Sequence, residues 1–118
     1  MSKIRTHVVD GEPVTIETGS GNVFADLGLP DPEERLLKAN IAIEIANLVK
    51  AKALTQTQAA RLVGLSQPKI SDILRGRLAG YSVERLLSVV NRLGRSVEVR
   101  ISAQERAPEE ATTRVLVA

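Results

Sequence analysis

From residue 31 onward the apolar side chains recur at helical spacing. Asp31-Pro32-Glu33-Glu34 opens a helix, with a capping side chain, a proline in the first turn and acids near the positive end of the dipole. Leu37, Ile41, Ile45 and Leu48 then share one face. Ile41, Ile43 and Ile45 also alternate as a strand would. The run nevertheless continues to about Ala53 without turn residues and is rich in Ala, Leu, Glu and Lys, which predicts a helix. Two shorter helical patterns follow, over about 55–63 and 67–75. Ala59, Val63 and Leu65 supply the apolar side of the first helix and its turn, and Ile70, Ile73 and Leu74 one face of the second. A further helix is capped by Ser82, buries Val83, Leu86, Leu87, Val90 and Leu93, and ends at Gly94. Val97-Glu98-Val99-Arg100-Ile101 then changes the period to two, which reads as a strand with Val97, Val99 and Ile101 facing inward.

The join between the two short helices is the most informative stretch. Ala60 is small where those helices should cross most closely, and Gly64 can take the positive φ that ends the first. Ser66 stands where its oxygen can accept from first-turn amides of the second, and Pro68 falls within that turn, where a missing N–H costs little. Gly76 supplies a stop after Arg75. Two helices hinged at Gly64-Leu65-Ser66 make a helix-turn-helix, which lays its second helix in the DNA major groove. An ordinary αα-hairpin shares the periodicity but does not require this coincidence of special positions. Lys69, Ser71, Asp72 and Arg75 lie on or beside the face opposite Ile70 and Leu74, within reach of base edges or the flanking backbone. A carboxylate is repelled by phosphates and only accepts, so at a base Asp72 would meet a cytosine N4 amino group; the alternative is an intrahelical pair with Lys69 or Arg75.

The run Leu54-Thr55-Gln56 through Ala60, Gly64, Ser66, Gln67, Ile70, Ser71 and Arg75-Gly76 resembles the Cro/repressor-type (XRE) helix-turn-helix domain. With Gly21-Asn22-Val23-Phe24-Ala25-Asp26-Leu27-Gly28 upstream and Tyr81-Ser82 through Val97-Glu98-Val99 downstream, it is similar to the HigA-like branch of small DNA-binding antitoxins. The resemblance spans roughly Ser20 to Ile101 and is most specific in the helix-turn-helix. It implies that Gln67, at the start of the reading helix, makes a bidentate contact to adenine, whose N6 and N7 match one amide donor and one amide acceptor. It likewise implies that Gln56 on the preceding helix contacts phosphate; Arg77, after the reading helix, would also help fix register. Pro68 departs from the polar residue often found beside the glutamine, which removes one potential base contact.

Charge sharpens this picture only when divided along the chain. The net +2 comprises four basic and eight acidic side chains over residues 1–49, nine and two over 50–95, and three and four over 96–118. The positive charge therefore belongs to the helix-turn-helix segment. Lys50, Lys52, Arg61, Lys69, Arg75, Arg77, Arg85, Arg92 and Arg95 are the pool for phosphate contacts. Arg75 and Arg77 are the best placed, whereas Arg85 and Arg92 serve equally well as solvated helix surface.

A length of 118 residues is a prior for one domain with a modest core, built here from Leu, Ile, Val and Ala because the chain has one Tyr, one Phe and no Trp. With no Cys there is no disulfide, thiolate nucleophile or Cys-ligated zinc site, which fits a reducing compartment. No stretch approaches the apolar length of a membrane span and Met1-Ser2-Lys3-Ile4-Arg5 lacks the apolar run of a signal peptide, so a cytoplasmic protein is expected. Catalysis is disfavoured: His7 is the sole histidine, no phosphate loop or paired-ligand spacing occurs, and Glu33-Glu34 and Glu109-Glu110 belong to a helix start and a tail. No cofactor or metal is expected.

The expected fold is all-α, a four- to five-helix repressor-type helix-turn-helix domain over 31–102 with a short C-terminal strand used in dimerisation. It is flanked by a flexible arm over 1–30 and a disordered polar tail over 103–118. In the arm, Val14-Thr15-Ile16 forms a short strand, and Asn22 to Gly28 a single helical turn. The lone strand Val97–Ile101 needs a partner from Val14–Ile16, from Val115–Val117 or, preferably, from the same strand of a second subunit. A dimer also suits DNA reading, because one head reads too few base pairs for useful selectivity. The expected DNA-binding residues are Gln56, Ser66, Gln67, Lys69, Ser71, Asp72, Arg75 and Arg77. The partners are double-stranded DNA, a second copy and, on the antitoxin reading, a small toxin. For the toxin, Phe24, Leu27 and Leu29 in the acidic N-terminal half would order on the partner; alternatively they dock back on the first long helix.

Overall fold

The computed structural model describes residues 14–15 and 23–118. Its first helical turn, α1 (Val23–Asp26), closes at Gly28, whose N–H meets the Ala25 carbonyl at 3.0 Å. The long helix α2 (Pro32–Ala51) begins as expected with proline and two glutamates in its first turn. Asp31, immediately before it, gives its backbone carbonyl to the Arg35 N–H at 3.0 Å.

Helix α2 stops two residues short of the expected Ala53. Ala53 takes φ 55°, its N–H meets the Lys50 carbonyl at 3.0 Å, and the Leu54 N–H meets the Val49 carbonyl at 3.1 Å. This left-handed closure is the one glycine makes without strain, and here alanine occupies it. Helix α3 (Gln56–Val63) is closed the ordinary way, by Gly64 at φ 76° with open space where a Cβ would go. The pair gives opposite expectations. Ala53→Gly should raise unfolding free energy by about 0.5–1 kcal/mol and Gly64→Ala should lower it by about 1 kcal/mol, both read by urea denaturation. The same sign for both would contradict the assigned backbone.

The starts of the short helices are fixed by side chains. Thr55 and Gln58 form a reciprocal capping box, with Thr55 Oγ1 accepting from the Gln58 N–H at 3.1 Å and Gln58 Oε1 accepting from the Thr55 N–H at 2.9 Å. Helix α4 (Gln67–Leu74) starts on Ser66, whose Oγ accepts from the Lys69 N–H at 3.4 Å, with Pro68 in the first turn. Helix α5 (Val83–Arg92) starts on Ser82, which accepts from the Arg85 N–H at 3.1 Å. Each cap satisfies an amide that the helix itself leaves unpaired.

Two units divide the chain, one of Lys38–Val99 and one combining Met1–Leu37 with Arg100–Ala118. The first holds the core. Ile45, Ile70, Ile73, Leu86 and Leu93 are its largest fully buried side chains, and α3 packs against both α4 and α5. Ala59 and Ala60 are buried on α3, so the small residues permit the close crossing that the sequence predicts. Val89 and Tyr81 are buried as well, two positions the periodicity alone does not select.

In the second unit β1 (Val14–Thr15) pairs antiparallel with β2 (Leu116–Val117), Val14 opposite Val117 and Thr15 opposite Leu116. A 3-10 turn spans Pro108–Glu110 in a largely exposed tail that is otherwise irregular up to β2. These pairings correct the expected strand at Val97–Ile101. Among the described residues that segment joins no ladder, and Val97, Val99 and Ile101 are 37%, 85% and 90% exposed rather than turned inward. Alternation specifies a face, but a strand also needs a row of amides and carbonyls to pair with, and the two intrachain candidates pair with each other instead. Most of the expected arm, with His7 and Asn22, lies outside the described residues.

Candidate nucleic-acid interface

The amino ends of α3 and α4 are brought together by their first side chains. Gln67 Nε2 donates to Gln56 Oε1 at 3.2 Å, joining two of the expected contact residues across eleven positions of sequence. This bond uses one amide donor and one amide acceptor. Gln67 is exposed and retains its carbonyl oxygen and a second N–H for another partner. Pro68, Ser71, Asp72 and Arg75 share the face of α4 opposite the buried Ile70 and Ile73, as 3.6 residues per turn requires. Pro68 and Arg75 are exposed there, and Ser71 and Asp72 half-buried.

Three expected residues have defined structural duties. The Ser66 hydroxyl is engaged in capping α4. The Asp72 carbonyl accepts from the Arg77 N–H at 2.8 Å and the Arg75 N–H at 3.2 Å, which closes the end of α4. Arg77 is thereby held directly after the helix, with its side chain exposed. All nine basic residues of segment 50–95 are exposed, so the excess charge is a surface property. Two of them have other contacts. The Lys52 ammonium lies close to Gly94, beside the carboxyl end of α5, where a cation suits the dipole. The Arg85 guanidinium lies over the Tyr81 ring, 5.5 Å from its centroid.

Tyr81 is the residue that the sequence reading does not assign. It is only 8% exposed, and its hydroxyl approaches the Lys69 carbonyl of α4 at 3.4 Å. Burial, then the Asp72 carboxylate acting as neighbouring charge and hydrogen-bond partner, push its phenol above the ordinary 10.0, with Arg85 pulling the other way. Its place after a positive-φ glycine, Gly80, is a turn signal rather than a core signal, which is why periodicity passes over it.

Two comparisons place this geometry. Residues 23–102 match a family described as the helix-turn-helix domain. A solved structure, named as a candidate XRE-family transcriptional regulator, is 35% identical, with a TM-score of 0.64, covering 75% of this chain and 98% of that one. The chain belongs to the XRE helix-turn-helix family. No curated protein matches it. Membership makes this XRE domain a DNA-binding module of the kind found in transcriptional regulators, and α3 and α4 are its helix-turn-helix. Among the described residues of the XRE domain and its flanks, no group of three or more His, Cys, Asp or Glu could hold a metal ion. No described helix is long and apolar enough to cross a membrane.

Proposed function

We propose that the protein is a sequence-specific repressor that occupies an inverted-repeat operator as a homodimer, reading bases with the helix over 66–75. The observation that carries this reading is the Gln56–Gln67 bond at the exposed amino ends of α3 and α4. A fixed amide presents its remaining donor and acceptor in one plane, the pattern adenine offers through N6 and N7 in the major groove. Lys69, Ser71 and Arg75 extend that face, while Gln56 and Arg77 contact the phosphates that set register. Dimerisation supplies the second half-site, and the exposed Val97–Ile101 segment, which joins no ladder within the chain, would become a strand only by pairing with the same segment of a second copy. The cytoplasm is where such a protein meets its DNA.

Hydroxyl-radical footprinting on a selected operator, with light scattering of the free protein, tests this. Two protected half-sites about one helical turn apart and a dimeric mass are expected. A single protected half-site bound by a monomer would overturn the dimeric reading.

A HigA-like antitoxin that silences a small toxin and autoregulates its operon is the second reading. Leu27 is 68% and Leu29 37% exposed beside α1, leaving apolar surface for a partner. Co-purification with the product of an adjacent reading frame, lost on Leu27→Asp, would establish it. A stable homodimer that ignores that product would leave the stand-alone regulator.

A further inference from the structure

The stretch between α5 and the tail is held at both ends. At its start, Gly94 turns the chain at φ 94° and Asn91 Nδ2 donates to the Arg95 carbonyl at 2.9 Å. At its end, Ser102 Oγ accepts from the Gln104 N–H at 3.1 Å, where a bend begins. The residues between, Ser96-Val97-Glu98-Val99-Arg100-Ile101-Ser102, are all exposed and lie in no helix, turn or ladder. Their order has a symmetry of its own. Counted outward from Val99 in either direction, the chain meets a charged residue, a β-branched apolar residue and a serine, and the two charges are opposite in sign.

We propose that this segment is a self-complementary strand: two copies pair antiparallel about a two-fold axis through Val99, with Glu98 of each opposite Arg100 of the other. The proposal rests on the dimeric reading above and adds which residue lies on the axis and which side chains meet. A two-fold interface brings position i against j and j against i, so one register fixes every contact. Centred on Val99, it sets Val97 against Ile101 and Val99 against its own copy on one face. The other face carries two Glu98–Arg100 pairs, with Ser96 against Ser102 beyond them. Sliding the copies by one residue puts apolar side chains opposite charged ones, and sliding them by two puts Glu98 against Glu98 or Arg100 against Arg100. A parallel pair stacks each charge beside its own kind. The Val99 register alone opposes both charges correctly, and it brings together the apolar side chains that are 85% and 90% exposed in the single chain at Val99 and Ile101.

Exchange of charge tests the register. Glu98→Arg and Arg100→Glu each set like charges opposite one another at both symmetric places in the dimer. Each should weaken self-association of the full-length protein by about ten-fold or more in sedimentation equilibrium. Carrying both substitutions restores opposite signs, and the double variant should return to within about three-fold of wild type. That recovery separates a broken contact from a broken fold. A second test uses the absence of cysteine from the chain. On the axis, Val99→Cys faces its own copy at a Cα spacing of about 4.5–5.5 Å, within disulfide reach, and should cross-link under mild oxidation. Val97→Cys lies four residues along the strand from its own copy, about 13 Å away, and should remain uncross-linked. An equal mixture of Val97→Cys and Ile101→Cys should cross-link.

A dimer that ignores both single exchanges, or one that cross-links through Val97→Cys as readily as through Val99→Cys, would overturn this register while leaving the dimer in place. So would a double variant that associates no better than the single ones. A wild-type protein that sediments as a monomer at every concentration would remove the dimeric reading and the register with it.

Discussion

Replacing Ile70 with alanine is expected to lower the free energy of unfolding by about 2–5 kcal/mol. Ile70 is fully buried on the inner face of α4, so its deletion leaves a cavity that the surrounding helices can only partly close. The total stability of a domain this size is about 5–15 kcal/mol, so one such cavity removes a large fraction of it. Ile43 is the matched control. It carries the same side chain on α2 but is 49% exposed, and Ile43→Ala should change stability by no more than about 0.5 kcal/mol. Urea denaturation followed by circular dichroism measures both. Equal effects at the two positions would mean that the interior of the Lys38–Val99 unit is assigned to the wrong faces.

Gln67→Ala should produce the largest change in DNA recognition, a loss of about 1–3 kcal/mol of discrimination at one base pair in each half-site. Every 1.4 kcal/mol is tenfold, so the preference at that position falls by about five- to 150-fold. Stability should barely move, because the side chain is exposed and its bond to Gln56 is a surface one. Arg77→Ala has a different signature. A phosphate contact carries no base information, so all sequences should weaken together and the salt slope should become shallower by about one. Measuring both variants against a panel of single-substituted duplexes at two salt concentrations separates reading from positioning. A uniform loss in Gln67→Ala would place its amide on the backbone instead of a base.

The helices were legible wherever a local rule decided them. Ser66, Pro68, Gly64 and Ser82 each have a steric or capping reason to stand where they do, and the structure uses all four in those roles. The Thr55–Gln58 capping box is equally readable from its spacing. Less accessible were features set by more than one segment. Val97–Ile101 has a strand's alternation, but pairing depends on which other segment is free, and Val14–Thr15 and Leu116–Val117 take each other. Ala53 ended α2 in a left-handed conformation that residue preference does not anticipate. Within the interface, individual residue types pointed to α4, yet the Gln56–Gln67 bond and the approach of Tyr81 to Lys69 are facts of tertiary packing.

DNA reading by this protein depends most on the outward face of α4 meeting the duplex. Selection from a randomised duplex pool at low salt, run in parallel with wild-type and Gln67→Ala protein and read by sequencing, tests that directly. The wild-type protein should enrich an inverted repeat, and the variant should enrich the same repeat with one symmetric position relaxed. Identical enriched sequences from the two proteins, or no enrichment and no retained duplex with either, would contradict it.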